Sequence, residues 1–527
     1  MVVQHGIKLA VNIISTHFGT LVTKVCECLL RKGTFNLPEI VRYTELPVQQ
    51  VKHSLLVLIQ HNCVQPFVYK NEEDQGHVPR GTHYKVIFEN IIHRMRFPKF
   101  LAIVSEELDK ECVELLEGLL QHGRLTLEQV ILRAISKRNE GDRAVQDALR
   151  ANFVKLVDAH YVERCPASEP IANLQDEGKN PSTRKRGAKS AKFVQIESAE
   201  EQAMTSAIPS ERFVVIANTG ADVTSERNTS ENLSNVAVGE KRKAFEMDEG
   251  TNAMMCEKEV LWRVNFEEFV RHLRHKACAA SVTSRLDDGA GVILKAMLEA
   301  TRRVERKIKI EKSAPLSEDA IFGEVMKTDE GRTMAPTQEH VRVALSQLGC
   351  HPNSIGTEET YSVDLKNIIE IAQNSEIESL VSKRYGQEAC RIFRLLSRKD
   401  EPMETDKISD TAFIEKTEAL KLLYNLWKDG YLHMEKLFAP PYSVLLLWRV
   451  NKILMRDHVY DEMCHAALNL RLRLAHELEQ EREILQLPKD KRIGAPGKRF
   501  ERIRKINILL ESSLMKLDEA LMLFHDF

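Results

Sequence analysis

The chain has no Cys-x-x-Cys pair, no apolar run of eighteen residues, no glycine-rich phosphate loop and almost no net charge. Each absence removes a class of function. Ten cysteines are scattered through 527 residues; Cys26 and Cys28 lie two apart on a helical stretch and so point to different faces, while Cys350 stands with His351 alone at a helix end. Four ligands at zinc spacing are lacking, so the cysteines read as buried reduced thiols and no metal is expected. The apolar stretch Ile7 to Ile14 is interrupted by Lys8 and Asn12, which argues against a secretory signal or a spanning helix and for an intracellular protein. Gly-x-x-x-x-Gly-Lys-Ser/Thr, Gly-x-Gly-x-x-Gly, His-Glu-x-x-His, Gly-x-Ser-x-Gly and Asp-x-Asp are all missing, so no catalytic residue, no cofactor and no enzyme activity of the chain alone are expected. With a net charge of −2 and 29% charged residues there is no global basic field of the kind that holds duplex DNA unaided. His272 and His275, beside Arg271 and Arg274, read as a charged helix face suited to solvation or phosphate contact.

What is present is a repeated syntax. At 43% hydrophobic residues and this length, roughly three to five domains are expected. Thr20 to Arg31 places Leu21, Val25 and Leu29 on one helical face and stops at Gly33; Leu37 to Val41 reads as a short second helix with Pro38 in its first turn; from Pro47, Val48, Val51, Leu55 and Leu58 mark a third. Cys63 to Lys70 and Thr82 to Glu89 then read as two strands of a long-tipped hairpin. That order is the order of a winged helix, and it recurs. A second copy uses Val113 to Leu120, Leu125 to Ser136 and Val145 to Val157, with one visible strand at Tyr161 to Arg164. A third uses Val292 to Leu298, Leu316 to Val325 and Val341 to Leu348, with a strand at Tyr361 to Leu365. The fourth uses Ile377 to Leu396, Ile408 to Phe413 and Thr417 to Trp427, closed by Asp429-Gly430, with strands Tyr431 to Phe438 and Ser443 to Val450 turned by Pro440-Pro441.

Between Cys165 and about Met255 the periodicity is lost in a polar stretch with few aromatics, which reads as a disordered linker. The last stretch differs again. Met463, Ala467, Leu470, Leu474, Leu478 and Leu485, then Ile503, Ile506, Leu510, Leu514, Leu517, Leu521 and Phe524, advance by about 3.5 residues, with Pro488, Gly494, Pro496 and Gly497 between them. The expected fold is therefore mainly α with small β-hairpins (α+β): winged helices at residues 1–96, 97–165, 259–366 and 367–450, a linker at 166–258, and a C-terminal antiparallel helical hairpin or coiled coil at 451–527.

More specific residues surround Trp262. Trp262 to Phe269 (Trp-Arg-Val-Asn-Phe-Glu-Glu-Phe), with Arg274 and Ala280 to Asp287, resembles the opening of the third winged helix in the third-largest subunit of eukaryotic RNA polymerase III. His17-Phe18-Gly19, Met95 to Phe100, Asp158 to Pro166 and Arg384-Tyr385-Gly386 resemble other parts of that family. The resemblance implies winged helices like those of the TFIIE alpha subunit, a non-catalytic role, two smaller partner subunits in a subcomplex on the clamp of the largest subunit, and a part in engaging and opening promoter DNA at small untranslated RNA genes, in the nucleus and with no membrane partner.

Candidate contacts for DNA, single- or double-stranded, or for partner subunits are Lys52, Lys70, Arg80 and Lys85 in the first copy, Arg342 in the third, and Lys416 and Lys421 in the fourth. Lys52 is the one fixed cation on the first third helix, so strong sequence-specific reading is not expected. Arg184-Lys185-Arg186 and Lys241-Arg242-Lys243 are candidate nuclear import signals. Two other readings compete: a free-standing winged-helix transcription factor, and a scaffold subunit of another large complex.

Overall fold

A computed structural model describes residues 3–70, 81–138, 143–167, 170–173, 260–302, 309–334, 337–354, 359–399, 401–439, 443–488 and 494–527, with shorter pieces at 202, 204–205, 207–209, 211–215 and 304–305. The chain divides into two compact units, residues 20–266 and residues 1–19 with 267–527.

After α1 (Gln4–Phe18), which belongs to the second of these units, α2 (Thr20–Lys32) buries Val22, Val25, Cys26 and Leu29 and ends at Gly33, whose N–H donates to the Leu29 carbonyl at φ +95°. Leu21 is exposed instead, because the buried stripe runs one residue further round. β1 (Phe35–Asn36) leads into α3 (Leu37–Thr44) through a reciprocal cap: the Glu39 N–H donates to Asn36 Oδ1 and the Asn36 N–H to Glu39 Oε2, both at 3.0 Å. α4 (Val48–Gln60) buries Val51, Leu55 and Leu58, each contributing about 1.5–3 kcal/mol of apolar burial. β2 (Val64–Lys70) and β3 (His83–Val86) pair antiparallel from Val64 opposite Val86 to Phe67 opposite His83, and β1 adds to the far edge of β3.

α5 (Phe88–His93) and α6 (Phe97–Glu107) connect to the second copy: α7 (Lys110–His122), β4 (Leu125–Thr126), α8 (Leu127–Arg138), α9 (Arg143–Asp158) and β5 (Val162–Arg164). Two findings bear on the expected disordered linker at 166–258 and on the expected start of the third copy at 259. β6 (Ile171–Asn173) pairs parallel with β2, and β7 (Leu261–Val264) pairs antiparallel with both β5 and β4. The segment from Cys165 to Val260 is thus the connection between the two strands of the second hairpin, and the Trp262 strand closes the second sheet instead of opening the third copy. Residues 211–214 also return to this hairpin: Arg164 Nη1 donates to Glu211 Oε2 at 2.9 Å, and Phe213 stacks on His160 at 4.0 Å. Trp262 is buried edge-on against Phe153 at 5.3 Å.

In the other unit, α10 (Phe266–Arg285) precedes the third copy, α11 (Asp288–Thr301), β8 (Leu316–Ser317), α12 (Glu318–Lys327), α13 (Asp329–Met334), α14 (Gln338–Gln347), β9 (Asn353–Ser354) and β10 (Glu359–Tyr361). β10 pairs with both β8 and β9 over a core that includes Leu294, Met297, Ile321, Val341 and Leu345. The strand expected to reach Leu365 stops at Tyr361, because Asp364 Oδ1 accepts the Asn367 N–H at 3.0 Å and caps α15 (Leu365–Tyr385). The helix expected over Ile377 to Leu396 is two, since Gly386 at φ +88° separates α15 from α16 (Gln387–Lys399). β11 (Met403–Glu404), α17 (Thr405–Ala412), α18 (Lys416–Lys428), β12 (His433–Ala439) and β13 (Ser443–Arg449) complete the fourth copy, and Trp448 Nε1 donates to Thr405 Oγ1 at 2.9 Å inside it. The Pro440-Pro441 turn lies outside the described residues.

α19 (Lys452–Gln480), the short α20 (Arg482–Gln486) and α21 (Ala495–His525) form an antiparallel hairpin: Arg499 pairs with Glu481 at 2.8 Å near one end, and His525 stacks on Tyr460 at 5.0 Å near the other. α1 joins this hairpin. It buries Leu9, Ala10, Ile13 and Ile14, His5 bonds Asp461 through its backbone and ring at 2.7 Å, and Arg471 donates to Asn12 Oδ1 at 2.9 Å. Residues 1–19 therefore group with residues 267–527, whereas the expected boundary of 1–96 groups them with the first repeat. Among the described residues no helix is long and apolar enough to cross a membrane.

Candidate nucleic-acid interface

The third helix of each copy is the element a winged helix offers to a groove, so its outward face decides what it can hold. On α4 that face carries Val48, Lys52, His53 and Leu56; Leu56 is 62% exposed, and one cation among apolar neighbours gives little grip on phosphate. Lys85 lies on β3 directly across from the buried Gln65 and is itself half-buried. Lys70 ends β2, its side chain outside the described residues, as are Arg80 and both import clusters.

On α14, Arg342 Nε donates to both carboxylate oxygens of Glu318 at 2.9 Å, so its charge is met within its own copy. On α18, Lys416 is paired with Asp406 at 2.7 Å. Lys421 is different. It shares an exposed face with Leu420, Tyr424, Trp427 and Lys428, the two rings 5.5 Å apart, and Glu418, the one carboxylate on the helix, lies to the side. Sequence reasoning chose the lysine and missed the rings. The usable signal was a second apolar stripe, 420, 424 and 427, one residue off the buried stripe Ala419, Leu423 and Leu426. Two bases' worth of aromatic surface beside two cations can stack and neutralise a strand without reading its sequence.

The histidine pair on α10 is not a phosphate-facing surface. Arg271 and Arg274 are buried: Arg271 Nη1 donates to Glu268 Oε2 at 2.5 Å and Arg274 Nη2 to the Ile310 carbonyl at 2.7 Å. Burial, and then the guanidinium groups of Arg274, Arg271 and Arg302, push His275 down to about 3, so it stays neutral at pH 7. Burial likewise pushes the Cys63 thiol up to about 11, and none of the described cysteines is in a disulfide.

Three family models match the chain: an RNA polymerase III subunit RPC82 helix-turn-helix domain over residues 8–69, RNA polymerase III subunit RPC82 over 151–372, and a POLR3C C-terminal winged-helix domain over 377–441. Curated relatives agree along nearly the whole length. DNA-directed RNA polymerase III subunit RPC3 of Homo sapiens is 25% identical over 518 residues, covering 93% of this chain and 88% of that protein. The Danio rerio protein of the same name is 25% identical over 515 residues, covering 93% and 87%, and the Dictyostelium discoideum one is 22% identical and covers 99% of both. The chain belongs to the RPC82 family, the third-largest subunits of RNA polymerase III.

The RPC82 match over 151–372 begins in α9 and passes through the second hairpin into the third copy, so the long connection between β5 and β7 falls inside it. The residues that carried the resemblance in sequence are structural ones. Trp262 is core, and Phe266 stands among Phe97, Phe100 and His93 with ring centroids within 6.1 Å. In this RPC82-family chain, these signature residues are buried packing residues.

Proposed function

We propose that this chain is a non-catalytic subunit of nuclear RNA polymerase III, which joins two smaller subunits on the clamp of the enzyme and helps to engage and open promoter DNA at small untranslated RNA genes. The observation that carries the reading is the match to proteins named RNA polymerase III subunit RPC3 along nine-tenths of the chain. We read the four helix–strand–helix–helix–hairpin repeats as winged helices, and the clusters at Arg184 to Arg186 and Lys241 to Lys243 as import signals. The third helices favour docking over base readout: on α4, α14 and α18 the cations are single, paired or set among apolar side chains. Opening would come from holding separated strands by stacking and charge, for which the Tyr424–Trp427 face is suited.

The test separates opening from catalysis. Polymerase depleted of this subunit is expected to extend RNA on a template that already carries a melted bubble, yet to leave promoter thymines unreactive to permanganate on closed duplex, with reactivity restored by adding the subunit back. Equal loss on both templates would mean that the chain serves catalysis itself, and unchanged promoter melting would remove the opening role.

A further inference from the structure

The strongest unassigned charge lies away from the winged helices, near the turn of the C-terminal hairpin. Residues 498–505 at the start of α21 hold five cations, Lys498, Arg499, Arg502, Arg504 and Lys505, against one carboxylate, Glu501. Arg499 is spent on Glu481 at 2.8 Å. Two carboxylates of the facing helix pair with side chains close to them in sequence, Glu477 with Arg473 at 2.5 Å and Glu479 with Arg482 at 3.4 Å. At helical spacing Lys498, Arg502, Lys505 and Lys516 fall on one stripe, all exposed, while Glu501 and Glu511 lie to its sides. The stripe is about 27 Å long at ~1.5 Å per residue.

We propose that this stripe binds the phosphate backbone of nucleic acid, a contact separate from those of the winged helices. It rests on the reading of the chain as a DNA-engaging polymerase subunit. A nucleic-acid backbone fits better than an acidic protein because four exposed cations share one line with no carboxylate on it, while the apolar side chains beside them are the half-buried Phe500 and Ile506 and the 65% exposed Leu509. Cations along one face of a long helix suit a row of phosphates.

The experiment measures binding of the full chain to a short mixed-sequence duplex, and to the matching single strand, across a salt series. The variant Lys498→Gln/Arg502→Gln/Lys505→Gln is expected to bind at least one of these more weakly, with the slope of log affinity against log salt reduced by about 2–3 for duplex or somewhat less for single strand, and by the same amount on unrelated sequences. Whichever form shows the reduced slope is the source of the phosphates. The charge-keeping variant Lys498→Arg/Arg502→Lys/Lys505→Arg should restore the slope, which excludes a folding defect. An unchanged slope on both probes overturns the stripe while leaving the wider reading standing. Normal DNA binding with loss of a polymerase subunit on purification overturns it too, and assigns the stripe to a protein. Absence of DNA binding by the wild-type chain and by its polymerase assembly would overturn stripe and wider reading together.

Discussion

Replacing Glu268 by alanine is expected to destabilise the unit containing residues 267–527 by about 3–5 kcal/mol, among the largest effects of any single substitution in the chain. The carboxylate is 2% exposed, and each of its oxygens accepts one guanidinium N–H at 2.5 Å, from Arg271 on its own helix and from Arg302 beyond α11. Removing it takes a buried carboxylate away from two guanidinium groups in a site that also holds Arg274 and His275, and leaves Arg302 with Glu299 at 3.2 Å. Thermal unfolding of the purified chain should show the transition of that unit falling by about 10 °C, taking 2–4 °C per kcal/mol for a unit of this size. The triple variant Glu268→Leu/Arg271→Met/Arg302→Met is expected to recover most of the loss, because an apolar cluster of similar volume replaces a buried ion cluster at little cost. A Glu268→Ala transition within a degree or two of wild type would show that the cluster is solvated and contributes little.

Gly123→Ala is expected to cost the other unit about 3 kcal/mol or more. Gly123 ends α7 at φ +79°, ψ −119°, a backbone region closed to residues with a Cβ, and an added Cβ would lie 2.0 Å from the Gln60 carbonyl oxygen. The close approach exists because the first and second copies are joined there. The Arg124 N–H donates to that same carbonyl at 3.0 Å, Gln60 Nε2 donates to the His122 carbonyl at 3.0 Å, and the buried Arg124 Nε donates to Asn62 Oδ1 at 2.9 Å. Gly118, in the same helix with nothing within 4 Å of an added Cβ, supplies the control: Gly118→Ala should stabilise by about 0.5–1 kcal/mol. Opposite signs for one substitution five residues apart, read as unfolding midpoints, check the geometry of the junction. Equal and small effects would contradict it.

What could be read in the sequence was what local chemistry determines. Val25 and Leu29, Val51, Leu55 and Leu58, and Leu116 and Leu119 stand where their spacing puts them, and the stops at Gly33, Gly123 and Asp429-Gly430 hold because a helix end is decided within a turn or two. What escaped was decided by partners far off in the chain. β5 finds its hairpin partner β7 about a hundred residues later, and nothing near Val162 signals it. α1 adjoins α2 in sequence yet buries its apolar face on α19. The charges of α10 looked like a solvated face until Glu268 and Arg302 were brought together across α11. The candidate contacts fared the same way: a lysine's or arginine's number does not say whether a carboxylate waits beside it, as Glu318 does for Arg342 and Asp406 for Lys416. Gly386 escaped for a different reason, since the apolar spacing of Ile377 to Leu396 continues across it and only the positive φ breaks the helix.

The central claim is that this polypeptide works as part of a larger transcribing enzyme that supplies the active centre. Purifying the tagged full-length chain from nuclear extract and identifying what comes with it tests that claim most directly. The account predicts recovery of the largest RNA polymerase III subunits together with two smaller partners, stable through a salt wash that strips DNA. Recovery of the chain alone, or with another complex and without the large polymerase subunits, would contradict it.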